Sequence, residues 1–223
     1  MIAEMKNEEE VEIPREVLEA ADKLRTAGYE AYIVGGCVRD LLRGEKPKDW
    51  DVTTSAKPEE ILKLFPKSFY ENKFLTVTVK TESEDLALKE IEITTFRAEG
   101  KYTDKRHPDE VRFAETLDED LSRRDFTVNA MAIALANYKL PTINYQLVDP
   151  FDGQADLKKK IIRAVGEPEK RFDEDALRMM RAVRLAMELN FELEGKTTDA
   201  IKKQSGNLQF IAKERIRDEL VKV

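Results

Sequence analysis

Cysteine and histidine are almost absent from this chain. Its 223 residues include one Cys, Cys37, and one His, His107. A single cysteine excludes an intramolecular disulfide framework and any Cys-cluster zinc site. A single histidine leaves little room for Ser-His-Asp catalysis or multi-His metal chemistry. Long apolar runs are missing as well, and no stretch approaches the roughly 18 consecutive apolar residues of a membrane span. The opening residues, Met1 to Val11, are acidic and lack the apolar stretch of a secretory signal. These absences together fit a reduced, cytoplasmic setting away from the membrane.

What is present is core-forming and highly charged. Hydrophobic residues make up 41% and charged residues 37%, with 10 Phe and 6 Tyr, which argues against a disordered chain. The net charge of -7 does not suggest a general polyanion binder. The charge is unevenly spread. From Phe151 onward there are 16 Lys and Arg against 14 Asp and Glu, a net of +2, which leaves -9 on the first 150 residues. Any polyanion would bind through local patches or through metal ions.

Element signals divide the chain near residue 150. The acidic run Glu8 to Glu10 reads as a solvated lead-in. Helical spacing of Val17, Leu18, Ala21 and Leu24 follows Pro14 and ends at Gly28. A strand is expected from Tyr29 to Val34, a short helix from Cys37 to Arg43, and a second strand from Asp49 to Thr53. Another helix starts at Pro58, and strands are expected at Phe74 to Val79 and Ile91 to Phe96. Residues 98–117 read as a long loop with a short strand at Val111 to Phe113, and long loops are usually functional. Asp118 to Leu135 looks helical. After the turn Asp149 to Gly153 the chain reads as helices, apart from a short strand at Ile161 to Ala164. The expectation is a mixed α/β region over 1–150 and a helical region over 151–223.

Four motifs carry chemistry. Gly35-Gly36-Cys37-Val38-Arg39-Asp40 sets two glycines between a strand and a helix, where backbone N–H groups can approach an anion and Arg39 can clamp a phosphate. A plain tight turn would have the same sequence. Asp49-Trp50-Asp51 would put two carboxylates on one strand face, where they repel unless a cation such as Mg²⁺ sits between them. A pair of surface aspartates is the simpler alternative. Glu92, on the face opposite Ile91 and Ile93, is the candidate third carboxylate, while Glu90 needs no role beyond a solvated face. Arg123-Arg124-Asp125-Phe126-Thr127-Val128-Asn129-Ala130 offers guanidinium forks for phosphate and an acceptor for a ribose hydroxyl. It could equally be an ion-paired amphipathic helix. In Glu174-Asp175-x-x-Arg178, Asp175, Arg178, Arg181 and Arg184 recur every three residues beside an apolar stripe of Leu177, Met180 and Val183. Such a stripe suits a nucleobase edge and phosphates, or merely a solvated helix face with an Asp175–Arg178 pair.

Taken in order, these motifs resemble the class II tRNA nucleotidyltransferase / bacterial poly(A) polymerase family, from about Ala31 to Val223. Pro47 to Thr53, Asp149 to Gln154 and Lys213 to Leu220 extend the likeness. The resemblance implies an α/β nucleotidyltransferase head (polymerase beta-like, with a mixed sheet) over 1–150 and an all-helical neck over 151–223. It implies template-independent addition of C and A to the tRNA 3′ end from CTP and ATP, with pyrophosphate released. By resemblance, Asp49 and Asp51 bind the catalytic Mg²⁺ and Glu92 helps at the attacking hydroxyl. Gly35, Gly36 and Arg39 line the triphosphate, Arg124 contacts phosphate, Asp125 meets the ribose 2′-hydroxyl, and Asn129 belongs to the same motif. Asp175 and Arg178 act as a protein template for the base, and Arg181 and Arg184 match further nucleotide-contacting positions. The loop 98–117, with Arg106 and His107, resembles the element linked to switching from C to A addition. Family members usually continue into helical body and tail domains that grip tRNA. The chain ends at Val223 within a helical stretch, so that grip is expected to lie outside it. A CC-only or A-only enzyme, a poly(A) polymerase and a non-catalytic NTP- or RNA-binding module remain open. A dinucleotide fold is weakened because no third glycine follows in register.

Overall fold

The structure is a computed structural model that describes residues 12–71, 75–99, 111–139 and 142–222. The acidic lead-in Glu8 to Glu10, the strand start at Phe74 and the loop residues Arg106 and His107 lie outside the described residues. The chain divides into two compact units. One holds residues 1–97, 113–121 and 131–150, and the other holds 98–112, 122–130 and 151–223. The last and longest segment of the second unit begins at residue 151. The short segment 122–130 also groups with the second unit.

The first unit is built on a seven-stranded mixed sheet. Its elements are α1 (Arg15–Thr26), β1 (Ala31–Val34), α2 (Gly36–Leu42), β2 (Asp51–Thr54), α3 (Pro58–Leu64), β3 (Ser68–Glu71), β4 (Thr76–Lys80) and β5 (Glu90–Thr95). After β6 (Arg97–Glu99) and β7 (Val111–Phe113), which form a separate two-stranded pair, come α4 (Leu117–Ser122), β8 (Ala132–Lys139) and β9 (Thr142–Val148). The strand order is β3-β4-β5-β2-β1-β8-β9. β2 and β5 run parallel, while the other neighbouring strands are antiparallel. Strand alternation sends Ile91 and Ile93 of β5 into the core and leaves Glu90 and Glu92 on the opposite, exposed face. α1 presents Val17, Leu18, Ala21 and Leu24 to the core, as its spacing predicts. Pro14 immediately precedes this helix and Gly28 (φ 93°) turns the chain out of it.

The helix expected from Asp118 to Leu135 is corrected by the structure. Only α4 is α-helical there. A turn follows, then a single 3₁₀ turn at Thr127–Asn129, and β8 begins at Ala132. The reason is burial on both faces. Met131, Ala132, Ile133 and Leu135 are all buried, so side chains on both faces at the start of β8 are covered. Such a strand shows no polar alternation, and its apolar run imitates a helix. The expected second strand also starts later than its sequence suggests, at Asp51, leaving Asp49 in the bend before it.

The second unit is mainly helical: α5 (Gly153–Lys159), β10 (Ile161–Ile162), α6 (Pro168–Glu174), α7 (Leu177–Leu189), β11 (Glu192–Leu193), α8 (Gly195–Gln204), a 3₁₀ segment Ser205–Phe210 and α9 (Lys213–Val221). β10 and β11 pair in parallel. Phe172, Ala176, Leu177, Met179, Ala200 and Ile211 form its core. The segment 122–130 is tied to this unit by an antiparallel bridge of Phe126 to Ala164, with Thr127 N–H donating to Arg163 O at 2.9 Å and Val165 N–H donating to Asp125 O at 3.0 Å. No helix among the described residues is long and apolar enough to cross a membrane.

Candidate nucleotide and metal site

In the first unit the candidate residues gather around the β1–α2 turn and the β2–β5 pair. Gly35 adopts φ 85°, a conformation that L side chains resist, and this lets β1 turn directly into α2. The Arg39 guanidinium folds back beside Gly36 and is held by both oxygens of Asp40, at 2.8 and 2.9 Å. Its side chain is 13% exposed, so the fork has a fixed direction.

Asp51, the first residue of β2, pairs in register with Glu92 of β5. Register partners on adjacent strands share a face, so both carboxylates belong to one side of the sheet. Asp49 is exposed in the preceding bend while Trp50 is 3% exposed, a buried anchor between two acids. Strand alternation therefore does not relate Asp49 to Asp51 as the sequence suggested. Both lie near the buried Cys37 thiol, which burial above all, with the charges of Asp51 and Asp49 adding to it, pushes up to about 12.

Among the described residues no group of three or more His, Cys, Asp and Glu is arranged to hold a metal alone. Asp51, with Asp49 two residues before it, still suits Mg²⁺, which takes one or two carboxylates and completes its shell with water and substrate phosphates. The same sheet face carries hydroxyls: Thr53 Oγ1 reaches Thr94 O at 3.2 Å and buried Asp120 at 3.3 Å.

In the second unit the residues form a network of paired charges. Arg123, Arg124 and Asp125 lie in the turn before the 3₁₀ segment, not in a helix. Arg124 Nη1 approaches Asn129 O at 3.5 Å. Asp125 Oδ1 accepts from Phe126 N–H at 2.9 Å, and its Oδ2 accepts from Arg181 Nε at 2.7 Å and faces Nη2 at 2.6 Å. Burial raises the Asp125 pKa, but the Arg181 charge and hydrogen bond, with the Arg178 charge and the Phe126 N–H, together outweigh it and hold this carboxyl below its ordinary value. The same pairing raises Arg181.

Asp175 lies between α6 and α7, where its Oδ1 caps Leu177 N–H at 2.9 Å. Arg178 is 7% exposed and donates to Glu174 Oε2 at 2.6 Å. The expected Asp175–Arg178 side-chain pair is thus replaced by Glu174–Arg178. Arg184 donates to Glu219 of α9 at 2.6 Å and to Glu188 at 3.0 Å. The apolar stripe also differs from expectation: Val183 is 37% exposed, and the buried side is Leu177, Arg178, Met179, Ala182, Leu185, Ala186 and Leu189. Steps of three residues fall short of a full turn by about 60° each, so residues 177 and 183 face different ways.

Sequence reasoning assigned no role to Glu174, Glu219 or Arg171. The i,i+4 spacing of Glu174 and Arg178 was a readable signal. Arg171 bonds Val165 O, Glu174 and Ser122 O, contacts that only the fold creates. Glu219 meets Arg184 across 35 positions of sequence, beyond any local pattern.

The family described as Poly A polymerase head domain matches residues 31–163, more than half of the chain. The chain belongs to this family. A second family, described as "Probable RNA and SrmB- binding site of polymerase A", matches residues 190–223. A CCA-adding enzyme from Lactobacillus helveticus is 54% identical over 201 residues, covering 90% of this chain and 47% of that protein. The Bacillus stearothermophilus CCA-adding enzyme, solved in complex with CTP, matches with TM-score 0.79 and 41% identity over 94% of this chain and 49% of that one. The Thermotoga maritima CCA-adding enzyme complexed with tRNA_CCA matches with TM-score 0.73 and 29% identity, over 94% of this chain and 47% of that one. The chain therefore spans about half the length of the relatives it matches. With the mixed sheet and helical second unit, these likenesses establish a nucleotidyltransferase-type head followed by a helical neck.

Proposed function

We propose that this chain carries the nucleotide-adding chemistry of a CCA-adding tRNA nucleotidyltransferase, extending the tRNA 3′ end with C and A from CTP and ATP. The observation that carries the reading is the register of Asp51 with Glu92 on adjacent parallel strands, which puts both carboxylates on one sheet face, with Asp49 in the bend just before Asp51. Relatives named CCA-adding enzyme, the closer of those described being 54% identical, support it. So do neighbours solved with CTP and with tRNA.

In this reading the first unit is the catalytic head. Asp49 and Asp51 hold Mg²⁺, which when bound supplies Lewis-acid charge to phosphate oxygens. Arg39, aimed by Asp40, offsets charge on the phosphates in the transition state. Glu92 orients the 3′-hydroxyl, whose oxygen attacks the α-phosphate as pyrophosphate leaves. Gly35 and Gly36 keep the β1–α2 turn narrow beside the triphosphate. The second unit is the neck. Arg178, aimed by Glu174, reads the base edge together with Asp175, while Asp125 accepts from the ribose. Fixed donors of this kind discriminate a base edge by about 1–3 kcal/mol per bidentate contact, by analogy with nucleic-acid readout. The single buried cysteine suits a cytoplasmic setting.

The test is incorporation on a tRNA lacking its last three residues, with Mg²⁺ and CTP, ATP or both, sized by single-nucleotide gel. Two C and one A followed by a stop is expected. A long A ladder would make it a poly(A) polymerase, and a CC-only or A-only product a partial enzyme. In parallel, equilibrium dialysis of CTP, ATP, UTP and GTP is expected to show preference for CTP and ATP. Absence of both incorporation and preference would overturn the reading.

A further inference from the structure

Arg181 stands apart from its neighbours on α7. Two of its nitrogens converge on one oxygen, Oδ2 of Asp125, at 2.6 and 2.7 Å. The other oxygen of Asp125 is fixed by Phe126 N–H, and the backbone carbonyl of Asp125 by Val165 N–H. The Asp125 side chain is only 10% exposed. Both its rotation and its position are therefore set, the first by Arg181 and the second by the main chain. A carboxylate offers about four lone-pair sites. Three donors account for most of them and leave capacity for one more, which suits a single hydroxyl.

The charge of Arg181 is already matched. Asp125 acts on it most strongly, and Glu219 and Asp175 add to the same negative surround. Two of its nitrogens are committed to Asp125, so its fork is aimed at that carboxylate. Arg178 differs: its guanidinium donates to Glu174 Oε2 at 2.6 Å, and it acts on Asp125 through its charge, more weakly than Arg181 does.

We propose that Arg181 is a positioning residue for sugar selection: it locks the Asp125 carboxylate so that its remaining acceptor site takes the ribose 2′-hydroxyl, and it does not read the base. The proposal rests on the nucleotide-binding reading above. It separates two selections within one unit, base by Arg178 and sugar by the Asp125–Arg181 pair.

The test measures binding of CTP, 2′-deoxy-CTP and UTP in Mg²⁺ to wild type and to Arg181→Lys. In the variant, affinity for CTP is expected to fall about tenfold, the scale of one hydrogen bond to a charged group. Affinity for 2′-deoxy-CTP should stay within about twofold, so the ribo/deoxy ratio collapses while the CTP/UTP ratio at equal sugar, taken with 2′-deoxy-UTP, is retained. Arg181→Gln, which keeps one donor toward Asp125, is the second variant if the lysine form does not fold. It is expected to show the same split. A fall in the C/U ratio with sugar preference intact would overturn the proposal, as would two unchanged ratios. A wild type that ignores the 2′-hydroxyl would overturn it too, while leaving base selection standing. A wild type that fails to prefer CTP over UTP would instead sink the nucleotide reading itself.

Discussion

The two units handle charge in opposite ways. In the first, the acids Asp49, Asp51 and Glu92 gather around the β2–β5 pair. In the second, the arginines of α7 face carboxylates from other elements or turns: Arg178 meets Glu174, Arg181 meets Asp125 and Arg184 meets Glu219. The first arrangement suits an added cation. The second is compensated within the fold and fixes the direction of each fork. Function in the first unit should therefore be separable from stability, whereas in the second the two should be coupled.

The largest expected effect tests that separation. Asp51→Asn is expected to lower Mg²⁺-dependent nucleotide incorporation by about a thousandfold or more, since metal charge stabilisation amounts to several kcal/mol. Thermal unfolding should stay nearly level, because Asn keeps the size of Asp at this half-buried position and removes only its charge. A stability loss matching the activity loss would mean that Asp51 is a structural group and that the contrast between the units is false.

The opposite is expected at Arg181. Truncation to Ala leaves a buried carboxylate without its nearest ion partner; because Arg181 is 40% exposed and the Phe126 N–H and the Arg178 charge remain, the cost is expected to be about 1–3 kcal/mol, below that of a fully buried pair. The pH dependence follows from the depressed Asp125 pKa. A carboxyl held below its ordinary value contributes stability that is fully present above the unfolded-state pKa, about 3.9. That contribution is lost as pH falls through the lower folded-state value. Urea unfolding between pH 7 and acid should show wild type losing this increment and Arg181→Ala lacking it throughout. Parallel curves for the two proteins would break the assignment.

How much of this was readable in advance depends on the range of each interaction. The four motifs, α1 with its buried Val17, Leu18, Ala21 and Leu24, and Glu92 on the face opposite Ile91 follow from local periodicity. β8 did not, because burial on both faces erases the strand period. The placement of Arg123, Arg124 and Asp125 in a turn was lost with it. The relation of Asp49 to Asp51 was inferred from strand alternation, yet β2 begins only at Asp51. Partners such as Glu219 for Arg184 come from separate elements, and residue spacing holds no trace of them. Local chemistry was legible, and the long-range pairing that aims it was not.

A smaller effect sharpens the second unit. Arg178→Ala is expected to cost about 1–3 kcal/mol in preference for CTP and ATP over UTP and GTP. Glu174→Gln should reproduce part of that loss, because Glu174 holds the guanidinium at 2.6 Å. Competition binding of the four nucleotides is the measurement. Unchanged preference in both variants would leave Arg178 as a core ion pair only.

The smallest effect sits in the β1–α2 turn, where adjacent glycines should answer differently. Gly35 has φ 85°, so Gly35→Ala forces an L side chain into a left-handed conformation at about 1–2 kcal/mol. Gly36 opens α2, and a Cβ there would meet Arg39 Nη2 at 3.5 Å, an ordinary contact. Helix propensity favours alanine by up to about 1 kcal/mol, so Gly36→Ala should leave stability level or slightly raised. Any functional cost would come through Arg39, whose guanidinium lies against that position. Thermal melts paired with triphosphate binding separate the cases: Gly35→Ala loses stability first, Gly36→Ala loses triphosphate affinity first. If both variants lose only stability, the turn is a structural hinge and Arg39 takes no direction from it.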